Sequence, residues 1–359
     1  MKATVKKEDL QKAQIVKRLS DSPKAVVLLV RNGNLSVIAC SHRYARYTVP
    51  ADNCTDGMAA LSTAMFDSLS YLRGREIKFL QEDSALKVNA GTKLKLYCEE
   101  LPDGVLSPPN LENPTRIKLE KDEVKGLKAV LGNVFFFPVD DEVASYVLNS
   151  SKGVEFVISD HSQFVFYRAK QSMSDKNFSF SSYLSHIKEI FSLIEGRMII
   201  DIAKDSMLIK SRDVVSSVPF LEFDSSHLDS AKEALGDDQY MDGVLEFDCK
   251  HILEVIMSIG IVCEGKDFLT MKVEGEGLSL GLKSSWGVSR DKIPCSNSMG
   301  DMTIGLSHML FENMLHCCKF GKTIEMRISA EQNFFRLSTK DKNLAVKCIA
   351  PVSSFELVG

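Results

Sequence analysis

Lys121, Lys125 and Lys128 stand at i, i+4 and i+7, a spacing that places them on one helix face. A row of ammonium groups is chemistry for phosphates, holding a polyanion backbone without reading its sequence. Taken alone, the row is better read as a solvated helix face. Lys7, Gln11, Gln14 and Arg18 form a similar stripe near the start of the chain. Groupings that resemble reactive motifs fail on spacing. Phe320-Gly321-Lys322-Thr323 has the ending of a phosphate-binding loop, but His316 stands where the motif needs its first glycine. Gly275-Glu276-Gly277 followed by Gly281 is one residue too long for a dinucleotide fingerprint and lies in a hairpin pattern. The histidines are scattered, with no HExxH and no Cys/His metal spacing. Cys317 and Cys318 point in different directions on a helix and read as core thiols. No nucleophile elbow or kinase signature occurs. The expectation is a protein that is not an enzyme, with no metal and no cofactor.

The elements that position these residues repeat. Residues 65–102, 183–223 and 308–352 share one grammar: an amphipathic helix, a glycine, then short alternating strands ending near a proline. The glycines Gly74, Gly196 and Gly321 are expected to stop the helices in the left-handed conformation. Upstream of each lies a helix pattern (about 7–20, 121–132 and 248–260) and a hairpin (25–41, 153–170 and 268–285). Asn32-Gly33 and Glu276-Gly277 are the turn signals of the first and third hairpins. Alternation of apolar and polar residues predicts antiparallel sheets with one wet face. Asp103–Pro114 and Ser225–Asp242 read as linkers, the second with a short helix at His227–Leu235. The fold class is therefore α+β with three similar domains, 1–112, 113–225 and 226–359. Phe135-Phe136-Phe137 is expected to start a buried strand, and Trp286 to be core or interface.

Lys plus Arg number 44 against 48 Asp plus Glu, which excludes a globally basic nucleic-acid binder but not a local basic face. The balance is most positive in 1–112 (16 basic, 13 acidic) and most negative in 226–359 (14 basic, 19 acidic). Nine cysteines without CxxC spacing, and a charged start with no secretory segment, predict reduced thiols in the cytoplasm. No apolar run approaches the length needed to span a bilayer, so no membrane partner is expected.

Several segments carry a resemblance. Arg73-Gly74 after Met65-Phe66-Asp67, Ser145-Tyr146-Val147-Leu148-Asn149, Val157-Ile158-Ser159-Asp160, Ile304-Gly305-Leu306-Ser307 with the helix from Leu310 to Leu315, and Cys348-Ile349-Ala350-Pro351-Val352 follow one another as in the bacterial beta-subunit type of DNA polymerase sliding clamp. The chain resembles that family, including phage-encoded forms, over nearly its whole length. Two features depart from it: His161-Ser162-Gln163-Phe164 replaces the usual Gly-His-Arg-Leu, and the closing strand lacks methionine. The resemblance implies sheets outside and helices inside a ring of two subunits around duplex DNA. Its implied partners are duplex DNA, a DNA polymerase, a clamp loader and a second copy of the chain. The implied DNA-lining residues are Lys12, Arg18, Lys24, Arg73, Lys121, Lys125, Lys128, Lys250 and Lys319. The implied partner-peptide groove is Leu148, Ser159, Phe164, Pro219, Leu221, Phe223, Cys348, Ala350 and Pro351. The strand near Lys93–Cys98 would pair with the region near Trp286–Ile293 of a second copy. A three-domain scaffold or adaptor that does not encircle DNA is the alternative reading.

Overall fold

The computed structural model describes residues 1–134, 143–159, 163–170, 172, 175, 177–221, 243–263, 267–298, 300–329, 333–342 and 344–357. Phe135–Phe137, the helix expected at 227–235, and Phe223 lie outside the described residues. Seven α-helices are described: α1 (Lys7–Ala13), α2 (Val16–Leu19), α3 (Thr63–Ser68), α4 (Lys121–Val134), α5 (Leu184–Leu193), α6 (Cys249–Ile259) and α7 (His308–Cys318). One order runs three times along the chain: strand, helix, a set of four paired strands (here called the meander), helix, three strands. The first and third repeats add a short strand inside the set, the first splits its opening helix in two, and the third adds a closing strand. The meanders are Ala25–Arg31 to Gly57–Ser62, Ala144–Ser150 to Phe178–Tyr183, and Phe268–Glu274 to Met302–Ser307. The closing triplets begin at Glu76–Glu82, Met198–Ile202 and Thr323–Ser329.

Every described strand pairing is antiparallel, and the strands form four sheets of five, eight, nine and five strands. Each repeat's first strand joins its own closing triplet: Lys2–Lys6 on Glu76–Glu82, Thr115–Leu119 on Met198–Ile202, Val244–Asp248 on Thr323–Ser329. By contacts the chain divides into two compact units, Met1–Lys125 with His186–Phe220, and Gly126–Ser185 with Leu221–Gly359. The strands of the middle repeat are shared between them. The first unit holds the first five-stranded sheet and the eight-stranded sheet, with α1, α2 and α3. The second holds the nine-stranded sheet and the last five-stranded sheet, with α6 and α7.

Helix faces explain the packing. In α6, Ile252, Val255, Ile256 and Ile259 recur at helical spacing and are buried; Asp248 caps its start by accepting from the His251 N–H at 2.8 Å. α7 buries Phe311, Met314, Leu315 and Cys318, and the Phe311 ring lies 6.0 Å from that of Phe335 on the sheet beneath.

Four expectations need correction. The helix foreseen over 7–20 is two helices: around Gln14 the backbone stays right-handed but tightens to i−3 bonds, Gln14 N–H to Gln11 O (3.2 Å) and Lys17 N–H to Gln14 O (3.2 Å). Of the three glycines, only Gly196 is left-handed (φ +89°). Gly74 serves close approach instead, its N–H donating to Ala90 O at 2.8 Å where a Cβ would stand 2.7 Å from the Ala90 carbonyl carbon. In the third hairpin the turn residue is Gly275 (φ +56°), one step earlier than expected, while the Lys292 side chain lies over Gly277. Asp103–Pro114 is not a free linker. Val105 is buried against Val27, Ile38, Tyr44, Ala60, Leu208 and Val215, and Leu106 and Leu111 pack beside it. That segment seals one face of the eight-stranded sheet with apolar area. No helix among the described residues is long and apolar enough to cross a membrane.

Candidate functional site

Two kinds of surface carry the candidate residues: helix faces with exposed cations, and open sheet faces. On the helices, Lys12, Arg18, Lys24 and Arg73 are exposed in the first unit, as are Lys121 and Lys125 on α4. Lys128 is half-buried. Lys250 and Lys319 are exposed on α6 and just after α7. These cations differ in freedom. Arg18 reaches Glu189 on α5 at 3.6 Å, and Lys250 faces Glu254 one turn on at 3.6 Å. Burial lowers the Lys319 ammonium below its ordinary value. Lys17, which was not singled out, is tied to Asp67, fixing α2 against α3, and burial lowers its ammonium too. Positive charge is thus open on α1 and α4 and partly neutralised on α2 and α6.

In the nine-stranded sheet, register decides which residues reach the open face. Ser159 lies opposite Phe164, Phe164 opposite Ile349, and Ile349 opposite Arg336. The next cross-strand row is Tyr146, Val157, Phe166 and Lys347. Leu148 belongs to the row beyond, opposite Glu155, about 13 Å along the strands from the row of Phe164. Leu221 is pinned to this sheet's edge, its N–H donating to Ser181 O at 3.1 Å.

Each of the four sheets has two edge strands, and two of these eight have exposed aromatic residues at or beside them. One is Lys93–Tyr97, the other Gly287–Pro294. Cys98 N–H donates inward to Ser84 O at 2.8 Å, so the alternating backbone aims the groups of Lys93, Lys95 and Tyr97 outward. Likewise Cys295 N–H donates inward to Glu276 O at 2.9 Å, leaving those of Val288, Arg290 and Lys292 outward. Beside the second edge, Trp286 (70% exposed), Val288 and Ile261 bare apolar area, as Tyr97 (66% exposed) does at the first.

No protein-family model matches the sequence, and no curated protein matches it. Solved structures do match its fold. DNA polymerase III beta subunit from Thermotoga maritima superposes with TM-score 0.77 at 13% identity, covering 98% of this chain and 99% of that one. The beta chain from Streptococcus pneumoniae TIGR4 gives 0.79 at 13% identity over 98% and 99%. A DNA polymerase sliding clamp from Pseudomonas aeruginosa gives 0.76 at 12% identity over 99% of both chains. The chain has the sliding-clamp fold. The α+β class and antiparallel sheets inferred from sequence are those of that fold.

Within this clamp fold the implied groove separates into three groups. Ser159, Phe164 and Pro351 share the open face of the nine-stranded sheet, and Leu148 joins it two rows away. Pro219 is exposed at the end of Val214–Pro219 in the first unit. Cys348 and Ala350 do not reach the open face. The closing strand alternates, and both are fully buried on its helix side, where burial pushes the Cys348 thiol well up. Residues of the opposite parity, Lys347 and Ile349, face outward. The sequence reading missed Ile349, Phe166 and Tyr146, although their i, i+2 spacing from Pro351, Phe164 and Leu148 was the available signal. Among the described residues, no group of three or more His, Cys, Asp or Glu could hold a metal ion.

Proposed function

We propose that the protein is a sliding clamp, a non-enzymatic processivity factor whose homodimer encircles duplex DNA and tethers a replicative polymerase. In this reading the chain comprises three domains, 1–112, 113–225 and 226–359, and acts in the cytoplasm, placed on DNA by a clamp loader. One observation carries the closure. The third meander strand of the first repeat, Tyr44–Pro50, pairs with the last strand of the second repeat, Val214–Pro219. The third meander strand of the second repeat, Phe164–Ala169, pairs with the last strand of the third, Leu344–Pro351. Continuing that rule leaves Gly287–Pro294 of the third repeat needing a last strand, and Lys93–Tyr97 of the first is the last strand left over. A second copy supplies the match twice, so the assembly closes with twofold symmetry. It also pairs these two edges, and unpaired edges otherwise invite aggregation.

Lys12, Arg18, Lys24, Arg73, Lys121, Lys125, Lys128, Lys250 and Lys319 would then meet DNA phosphates weakly and without sequence preference, permitting sliding. The open face bearing Phe164, Ile349 and Leu148 would take short apolar motifs of polymerase and loader. The test is retention on DNA topology. Protein loaded on closed circles should co-elute with them in gel filtration and be lost after a single cut. Equal retention on circles and linear DNA would favour a scaffold that binds without encircling.

A further inference from the structure

The first five-stranded sheet carries five exposed lysines on the face away from its buried core: Lys2, Lys78, Lys87, Lys93 and Lys95. The register sets Lys2, Leu80, Lys87 and Lys95 in one cross-strand row, with Thr4, Lys78, Asn89 and Lys93 in the next. Together they line a shallow depression of about 730 Å3. Lys87 is ion-paired to Glu82; the other four have no ion pair among the described residues. Neighbouring strands lie about 4.8 Å apart and same-face residues about 6.8 Å apart along a strand, so the cations sit close enough together for one extended polyanion to meet several of them.

Lys93 and Lys95 stand on an edge strand, where charged residues are common. Lys2, Lys78 and Lys87 stand on interior strands, where that pattern does not apply. In the equivalent strands of the other repeats some cations are paired with carboxylates. Asp201 takes both Arg116 (2.6 Å) and Lys210 (2.8 Å), and Glu325 takes Arg327 (2.6 Å).

We propose that this lysine face binds the phosphate backbone of single-stranded nucleic acid without sequence preference. Lysines act as point charges and do not impose the bidentate geometry of arginine. An acidic peptide would need apolar anchors as well, and the exposed apolar side chains here are Leu80 and Tyr97, the latter already under the Lys95 ammonium at 5.7 Å. A flexible single strand can follow the depression, which a rigid convex duplex cannot enter. The site does not depend on ring closure.

The test is fluorescence anisotropy of a labelled 20-nucleotide oligo(dT) titrated with the full chain at several salt concentrations. Lys2→Glu/Lys78→Glu should weaken binding at least tenfold. Lys2→Gln/Lys78→Gln, which avoids new charge and guards against misfolding, should flatten the log–log salt slope by about 1.4, or 0.7 per lost contact. Equal affinity of wild type and both variants overturns the proposal. So does loss of binding in Lys121→Glu/Lys125→Glu but not in the sheet variants. Equal binding of a duplex 20-mer, or displacement by polyglutamate as effective as by unlabelled oligo(dT), assigns the face to another polyanion and overturns it too.

Discussion

The lysine face of the first sheet and the open face of the nine-stranded sheet begin from equivalent strands and end with opposite chemistry. In the first, the closing triplet stops at Lys93–Tyr97 and its outward row is cationic. In the second, the equivalent last strand, Leu344–Pro351, is sealed against a neighbouring meander, and Phe164 and Ile349 face each other across the seam. Sealing makes room for apolar residues on the open face, because a paired strand no longer needs charges to repel strangers. An unpaired strand with the same aromatic row would expose both hydrogen-bonding groups and apolar area. Within one chain, the sealed strand borders an apolar row and the edge strand a cationic one.

Unsealing or blocking the edges gives the largest expected effect. Lys95→Pro removes an outward donor at the middle of the free edge while leaving the inward ladder of Leu94 and Leu96 intact. Association should weaken at least a hundredfold, with the mass in light scattering falling from two chains to one and the circular dichroism unchanged. A persisting dimer would place assembly on another surface.

The apolar face should respond by parity. Phe164→Ala and Ile349→Ala each remove a side chain worth about 1.5–3 kcal/mol when buried, or roughly 10- to 150-fold in the affinity of a polymerase C-terminal peptide. Cys348→Ala, one position away, should leave that affinity alone and cost about 1 kcal/mol of stability, read as a lower Tm. Peptide binding that fails with Cys348→Ala and survives Ile349→Ala would reverse the assignment of faces.

A smaller effect tests why the middle repeat lacks a lysine face. The hydrogen bond from Arg116, with a further one from Lys210, holds the Asp201 carboxyl below its ordinary value against the opposing effect of burial. Its pKa is lower folded than unfolded, so its stabilisation is complete above the usual carboxylate range and is lost as pH falls through the depressed value. Asp201→Asn should lower stability at neutral pH and flatten the acid limb of a denaturation profile. An unchanged acid limb would mean that the two cations are balanced by solvent alone.

How much of this was legible in the residues depended on distance along the chain. Period-2 alternation, helix stripes and the threefold grammar are local properties, and they specified antiparallel sheets, the helices and their order. Local pattern also placed Asn32-Gly33, where both residues take positive φ. It could not place Cys348. The run Cys348-Ile349-Ala350 is apolar throughout, so its parity is fixed only by α7 packing on one side of the strand. Nor could it show that Val105 of an apparent linker is buried, because its partners Val27 and Leu208 come from strands of two different repeats. The sequence by itself determined which segments become strands and helices, since burying one face of each requires its periodicity. Only the tertiary structure decided which strands seal to which, because backbone hydrogen bonds are alike at every strand and carry no sequence label. That choice leaves Lys93–Tyr97 and Gly287–Pro294 each open on one side, while the equivalent strands Leu344–Pro351 and Phe164–Ala169 are sealed to each other.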